Sequence, residues 1–321
     1  MPAAHALQPN QVARIIKKII VVGWGVEMGN ATSMLVVGAT GSVGGAVARA
    51  LAGKGYPVAA LVRGGQGHRK SADLFAAGVR ILDGDLWRPD TLANAVQGVH
   101  TVICSATSMP AALDDGLRRT DLMGTLALID AAEAAGVSRF LYVSYSGNIQ
   151  IDSPLHRAKR GCEARLRSSR MQCVILRPSF FMECWLSPLV GFDPDAGAAR
   201  IYGTGESKIS YISSANVADF AVAIASEIVP DQAIVLELGG PEPLSQLDAV
   251  RIFERCRRKA IRVEPVPAEA LREQARSADP LQQTFAALML AYSSGDVIAS
   301  AAQNAARYHV ALQSVADYAS R

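Results

Sequence analysis

The sequence predicts an α/β protein, a doubly wound parallel sheet followed by a smaller α+β lobe. Two observations predict it. From Met34 onward, short apolar runs alternate with stretches of helical period, which builds a parallel sheet through right-handed crossovers. The first run, Met34 to Val37, enters Gly38-x-x-Gly41-x-x-Gly44, and Val43, Ala46, Val47, Ala50 and Leu51 then share one helix face.

Strand, glycine turn and helix in that order form a dinucleotide phosphate site of the Rossmann type. Gly38 permits the tight turn, Gly41 lets the backbone approach a pyrophosphate, and Gly44 lets the helix lie close to the strand. Around Thr40, Ser42 and Val43 the free N–H groups of the first helical turn point at the anion. Residues 19 to 29 carry a similar strand entering Gly23-x-Gly25, but no crossover helix fits between Gly29 and the next strand.

The remaining elements follow in order. Strands are expected over Pro57 to Val62, Val79 to Leu82, His100 to Cys104, Arg139 to Ser144 and Cys173 to Arg177. Helices are expected over Ser71 to Ala77, Pro89 to Val96, Leu117 to Ala135 and His156 to Arg167. After Pro178 the regularity loosens. Helices are expected over Ser214 to Ile228, Ser245 to Lys259, Ala268 to Ala275 and Pro280 to Tyr292, and short strands over Ile209 to Ile212, Val235 to Leu238 and Ile261 to Val263. The expected organisation is an extension over residues 1–33, a dinucleotide-binding domain over 34–178 and a substrate lobe over 179–321. Some of the lobe's elements are expected to return to the first sheet.

Composition narrows the class. The chain has 321 residues, half of them hydrophobic, and a net charge of +3, which gives no reason to expect a nucleic-acid partner. Five cysteines, at 104, 162, 173, 184 and 256, lack metal-ligand spacing, so no metal site is expected, and their odd, scattered set fits the reducing cytoplasm. The apolar run Ile19 to Val26 follows Arg14, Lys17 and Lys18 but is closed by Glu27, so neither a signal peptide nor a membrane span is expected.

Several residues carry chemistry. The second strand ends in Arg63 with no acid beside it, where an NAD site places a carboxylate for the ribose hydroxyls. A guanidinium there, with Arg69 or Lys70 near it, suits a 2′-phosphate, so NADP(H) is expected in preference to NAD(H). Asp85 and Leu86 read either as adenine contacts or as turn chemistry. Ser105, Ala106 and Thr107 occupy the loop expected beneath the nicotinamide ribose. His156, Lys159 and Glu163 share a helix face, where Lys159 reads either as a group stabilising an oxyanion or as half of a surface pair with Glu163.

The blocks Val36 to Gly44, Gly84 to Leu92, Ala131 to Ser144, Leu176 to Met182, Tyr211 to Asp219 and Gly239 to Ser245 resemble the NmrA-like group of atypical short-chain dehydrogenase/reductases. The resemblance runs over roughly residues 34–320. It implies NAD(P)(H) binding under a roof formed by the C-terminal lobe, with Lys159 as the active-site lysine and Ser146 at an active-site serine position. It also implies that Pro178, Ser179 and Phe180 lie against the nicotinamide. One position departs from the wider superfamily, because Leu155 stands where a tyrosine acts as general acid. Proton delivery then falls to Lys159, His156, Ser146 or water. Two functions are therefore expected as alternatives. One is an NADPH-dependent reductase of apolar or aromatic carbonyls, enones or quinones, in which the stretch Phe180 to Leu186, with Leu189 and Phe192, reads either as pocket lining or as core packing of the second lobe. The other is a non-catalytic NADP(H) sensor with a protein partner.

Overall fold

Seven parallel strands run in the order β3-β2-β1-β4-β5-β6-β9 across a computed structural model that describes residues 32–110, 115–227 and 232–321. They are β1 (Met34–Val37), β2 (Val58–Val62), β3 (Arg80–Asp83), β4 (Thr101–Cys104), β5 (Arg139–Val143), β6 (Gln172–Pro178) and β9 (Ala233–Leu238). The expectations for residues 1–31, including the Gly23-x-Gly25 copy, lie outside the described residues.

Strands β1, β2, β4 and β5 are buried on both faces, which explains why they read as unbroken apolar runs. On one face, α1 (Ser42–Gly53) and α7 (Ser214–Ser226) contribute Val47, Leu51, Val217, Phe220 and Ile224 to the core. On the other, α3 (Pro89–Ala95), α4 (Thr125–Ala134) and α5 (Pro154–Arg167) contribute Leu92, Leu128, Ile129, Cys162 and Leu166. Helix α2 (Ser71–Ala76) lies between β2 and β3 in sequence. The strand order reverses between β1 and β4, and the crevice outside the carboxyl ends at such a reversal is the binding position of doubly wound sheets.

Three expectations are corrected. The helix expected over Leu117 to Ala135 opens as a π-helix, Leu117–Gly124, before α4. A Cβ at Gly124 would meet Leu86 O at 2.6 Å and Arg119 O at 2.8 Å, so only glycine lets the wide turn rest against that loop. Helix α5 begins two residues early, because the Ser153 hydroxyl accepts from the His156 N–H and Pro154 suits the first turn. Ile209 to Ile212 makes only isolated bridges to Phe181, Leu244 and Asp296. The strand expected over Val235 to Leu238 forms as β9 from Ala233 and pairs with β6 in the main sheet.

The lobe's own sheet is β10-β8-β7, from Arg262–Val266 (β10), Ala198–Tyr202 (β8) and Phe192–Asp193 (β7). Short helices α6 (Met182–Trp185), α9 (Ala268–Gln274), α11 (Ala301–Arg307) and α12 (Val315–Ala319) join α8 (Gln246–Arg257) and α10 (Pro280–Ser294). Helix α8 is held at its start by a capping box between Ser245 and Asp248. Among the described residues no helix is long and apolar enough to cross a membrane.

Candidate active site

The glycine turn is built as its spacing demands. Gly38 has φ +92°, and a Cβ there would lie 2.7 Å from the Ala106 nitrogen and 2.9 Å from Ser105 Oγ. A Cβ on Gly44 would lie 2.4 Å from Gly38 O and 2.6 Å from Ser105 Oγ, so the loop after β4 seats directly on the turn. Gly41 differs. Its Cβ would meet only Gly38 O, at 3.2 Å, so that side of the turn is open to an approaching group. The buried Ser105 hydroxyl has no hydrogen-bond partner.

Beside the turn, Lys70 Nζ donates to Thr40 O at 2.5 Å, and a cavity of about 270 Å³ is lined by Thr40, Gly41, Ser42, Arg49, Lys70 and Asp73. Three cation-bearing or N–H-rich elements thus meet at one hollow. At the end of β2, the exposed Arg63 lies 5.8 Å from the Trp87 ring, and Arg119 stacks on that ring at 3.7 Å. The Trp87 indole N–H is fixed by Thr120 Oγ at 2.7 Å. The Asp85 carboxylate accepts the Trp87 N–H at 3.0 Å, so it serves the turn with one of its oxygens. Leu86 is buried beside it.

Lys159 is 5% exposed and lies at the carboxyl end of β5. Its Nζ donates to Val143 O at 3.3 Å, stands 5.0 Å over the Tyr142 ring and lies 3.7 Å from Asp121 Oδ1. The expected alternative, a surface pair with Glu163, is not formed. Glu163 is instead buried against Arg160, Arg167 and Arg177. Asp121 was not singled out by the sequence. Its only sequence signal is an acid on the apolar side of a helix, and the π-turn that directs it inward has no residue signature of its own.

The loop after β5 holds the other candidates. Ser146 N–H donates to Pro178 O at 2.8 Å, which joins the two loops at the ends of β5 and β6. Its hydroxyl donates to Asp296 Oδ1 at 2.9 Å, a bond to the C-terminal half. His156 Nδ1 pairs with the Tyr145 hydroxyl at 2.7 Å. Burial, and then the Arg160 charge, hold the imidazole below its ordinary range, so it is neutral at pH 7. Arg160 also donates to the carbonyls of Tyr145 and Ser146 and fixes the loop's path.

Pro178 and Ser179 continue from β6, where Ser179 N–H donates to Leu238 O. Phe180 is buried. It packs edge-on against Trp185 at 4.7 Å and Tyr292 at 5.1 Å. Met182, Leu186 and Phe192 are buried in the same cluster, so most of the stretch that reads as pocket lining or core packing forms the lobe's core, while Leu189 is exposed. The structure therefore brings Gly38, Gly41, Gly44, Ser105, Ala106, Ser146, Lys159 and Pro178 to one edge of the sheet, with Arg63, Asp85 and Leu86 at one end of it. Among the described residues no cluster of His, Cys, Asp and Glu is arranged to hold a metal ion.

The model of the NmrA-like family matches residues 30–311. The photosystem II assembly factor Ycf39 of Trieres chinensis is 30% identical over 242 residues, which are 73% of this chain and 72% of that protein. An isoflavone reductase homolog of Zea mays is 30% identical over 259 residues, covering 76% of this chain and 80% of the relative. An NADPH-dependent quinone oxidoreductase of Escherichia coli, solved with NADPH, shares the fold with a TM-score of 0.73 at 22% identity, over 89% of this chain and 98% of that one. The chain belongs to the NmrA-like family.

Proposed function

We propose that this protein binds NADP(H) along the carboxyl edge of its sheet and reduces a small apolar or aromatic carbonyl, enone or quinone. The observation that carries the reading is the placing of Lys159. A buried ammonium stands at the end of β5, on the same sheet edge as the glycine turn. The residues present fit the cofactor. The open side of Gly41 and the N–H groups of the first turn of α1 suit a pyrophosphate, and Arg63 suits a 2′-phosphate. When bound, the nicotinamide supplies a hydride.

The chain's own residues position and neutralise. The ammonium of Lys159, held by Val143 O, offers positive charge in a water-poor site where an oxyanion develops, and it has N–H donors to spare for ribose hydroxyls. Leu155, buried on the first turn of α5, offers no proton. With His156 neutral and the Ser146 hydroxyl bonded to Asp296, Lys159 or water is the source that the geometry favours. Single-turnover oxidation of bound NADPH by quinones, enones and aromatic aldehydes tests the reading. Rapid loss of NADPH absorbance with one class is expected. Lys159→Ala is expected to abolish that loss while weakening NADPH binding less than about tenfold. Tight NADPH binding with no acceptor above the buffer rate would overturn it.

A second reading, an NADP(H)-binding regulator that acts on a protein partner, has its own support. The candidate pocket-lining side chains are mostly spent in the lobe's core, the usual tyrosine is Leu155, and one relative is named an assembly factor.

A further inference from the structure

We infer that Asp121 is the positioning residue of Lys159, and that its carboxylate ties the lysine to the loop after β4. The inference rests on the reading of Lys159 given above. Asp121 is 0% exposed. One oxygen, Oδ2, accepts from Ser108 twice, from the N–H at 2.9 Å and from the hydroxyl at 2.6 Å. The other, Oδ1, has no hydrogen-bond partner and faces Lys159 Nζ at 3.7 Å. A buried carboxylate oxygen without a partner is costly, and here the ammonium is the group that balances it.

Four titratable side chains lie around the ammonium. Tyr142 comes from β5, Cys104 from β4, Cys162 from α5 and Asp121 from the π-helix. Burial pushes the Cys104 thiol up to about 11, the Cys162 thiol up to about 12 and the Tyr142 phenol well above its ordinary range. All three are neutral at physiological pH, and Asp121 is the acidic side chain paired with Lys159. Cys162 Sγ also sits 3.3 Å from the Asp121 carbonyl, so the π-turn is held at its backbone as well. π-Turns inside helices are rare and concentrate at functional positions. This one directs a carboxylate to the ammonium with one oxygen and to Ser108 with the other. Ser108 directly follows Ser105 to Thr107, so a single side chain sets both the lysine and the loop that seats on the glycine turn.

The test is competitive acylation of the full chain with acetic anhydride, with each lysine read separately by mass spectrometry. Asp121→Asn keeps the shape and can keep the Ser108 bonds but removes the charge. Lys159 is expected to acylate at least about tenfold faster in that variant, because the amine loses the carboxylate that faces it at 3.7 Å and holds it in place. Lys70 and Lys208 in the same digest are expected to stay within about twofold, which separates a local effect from general loosening. Single-turnover NADPH oxidation is expected to slow by about tenfold or more with NADPH affinity nearly unchanged. Unchanged acylation of Lys159 in the folded variant, or faster acylation of all three lysines alike, overturns the inference. If Asp121→Asn does not fold, Asp121→Glu replaces it. Displacing the carboxylate is expected to raise Lys159 acylation alone, and equality with the parent chain overturns the inference. Faster acylation in a protein whose parent chain never oxidises NADPH would leave the positioning role standing and remove the reductase reading.

Discussion

Arg177 and Glu163 are joined by two hydrogen bonds, Nη2 to Oε2 at 2.5 Å and Nε to Oε1 at 3.1 Å, around a carboxylate with no exposed surface. Arg160 adds a third bond at 2.6 Å and holds the loop bearing Tyr145 and Ser146. Arg177 also reaches Glu237, which accepts the Gly147 N–H. The pair is therefore the anchor of one wall of the site.

Removing that anchor gives the first prediction. Burial opposes ionisation of Glu163, but hydrogen bonds from Arg177 and Ser144 and the Arg160 charge prevail and hold it at about 2, below the ordinary 4.5. A carboxyl depressed in the fold contributes stability that is present above 4.5 and lost as pH falls toward 2. Glu163→Ala is expected to cost about 3–5 kcal/mol at pH 7, because it strands buried guanidiniums. Urea unfolding of both proteins at pH 7, 5 and 3 checks this, and the gap between them should narrow at the acid end.

Two glycines of the same turn should fail in different ways. Gly44→Ala drives a methyl into Gly38 O and Ser105 Oγ, so it is expected to lose about 1–3 kcal/mol of stability. Gly41→Ala meets only one atom, at 3.2 Å, and its melting temperature is expected to stay close to that of the parent chain. Its methyl would occupy the side of the turn assigned to the pyrophosphate, and NADPH affinity is expected to fall by at least about tenfold. Thermal melts with and without nucleotide separate the two.

The proposed preference for NADP(H) over NAD(H) turns on Arg63. Charge-assisted hydrogen bonds contribute about 1.5–3 kcal/mol, so Arg63→Ala is expected to weaken NADPH by roughly 10- to 100-fold. NADH, which lacks the 2′-phosphate, is expected to change little. Titrations of both nucleotides against both proteins check this, and equal losses would place Arg63 outside the discriminating set.

His156 supplies a pH prediction. Its imidazole is held below 6.5, first by burial and then by Arg160, with Asp152 and Glu163 opposing. A histidine depressed in the fold resists protonation, so its contribution to stability is lost as pH falls below 6.5. Its NMR titration is expected to show a midpoint under 6.5. Tyr145→Phe, which removes the 2.7 Å bond to Nδ1 that suits the neutral ring, is expected to move the midpoint upward.

The parts of this molecule that were legible in the sequence are those fixed by local chemistry. The glycine turn, the doubly buried strands and the alternation through Arg177 each have a spacing that survives any tertiary context. Lys159 was legible as a candidate because helix periodicity put it on a face with His156, but its partner was not. Asp121 lies far from it in sequence, and the backbone that aims it depends on the fit of Gly124 against Leu86. The stretch Phe180 to Leu186 left two readings open for another reason. Aromatic residues suit a pocket and a core equally, and Tyr292 on a distant helix decides for the core. Strand β8, with a polar residue between short apolar ones, was too weakly patterned to stand out.

Strand β9 carries a consequence for how the chain is made. It docks on β6 in register from Cys173 opposite Ala233 to Pro178 opposite Leu238, so the main sheet is completed only when the segment between Pro178 and Ala233 has already left the ribosome. Until then β6 presents a bare, apolar edge, and such edges invite pairing with other chains. Synthesis order and assembly order are thereby out of step. A nascent chain that has emerged only as far as Pro178 lacks β9 and carries that edge unpaired.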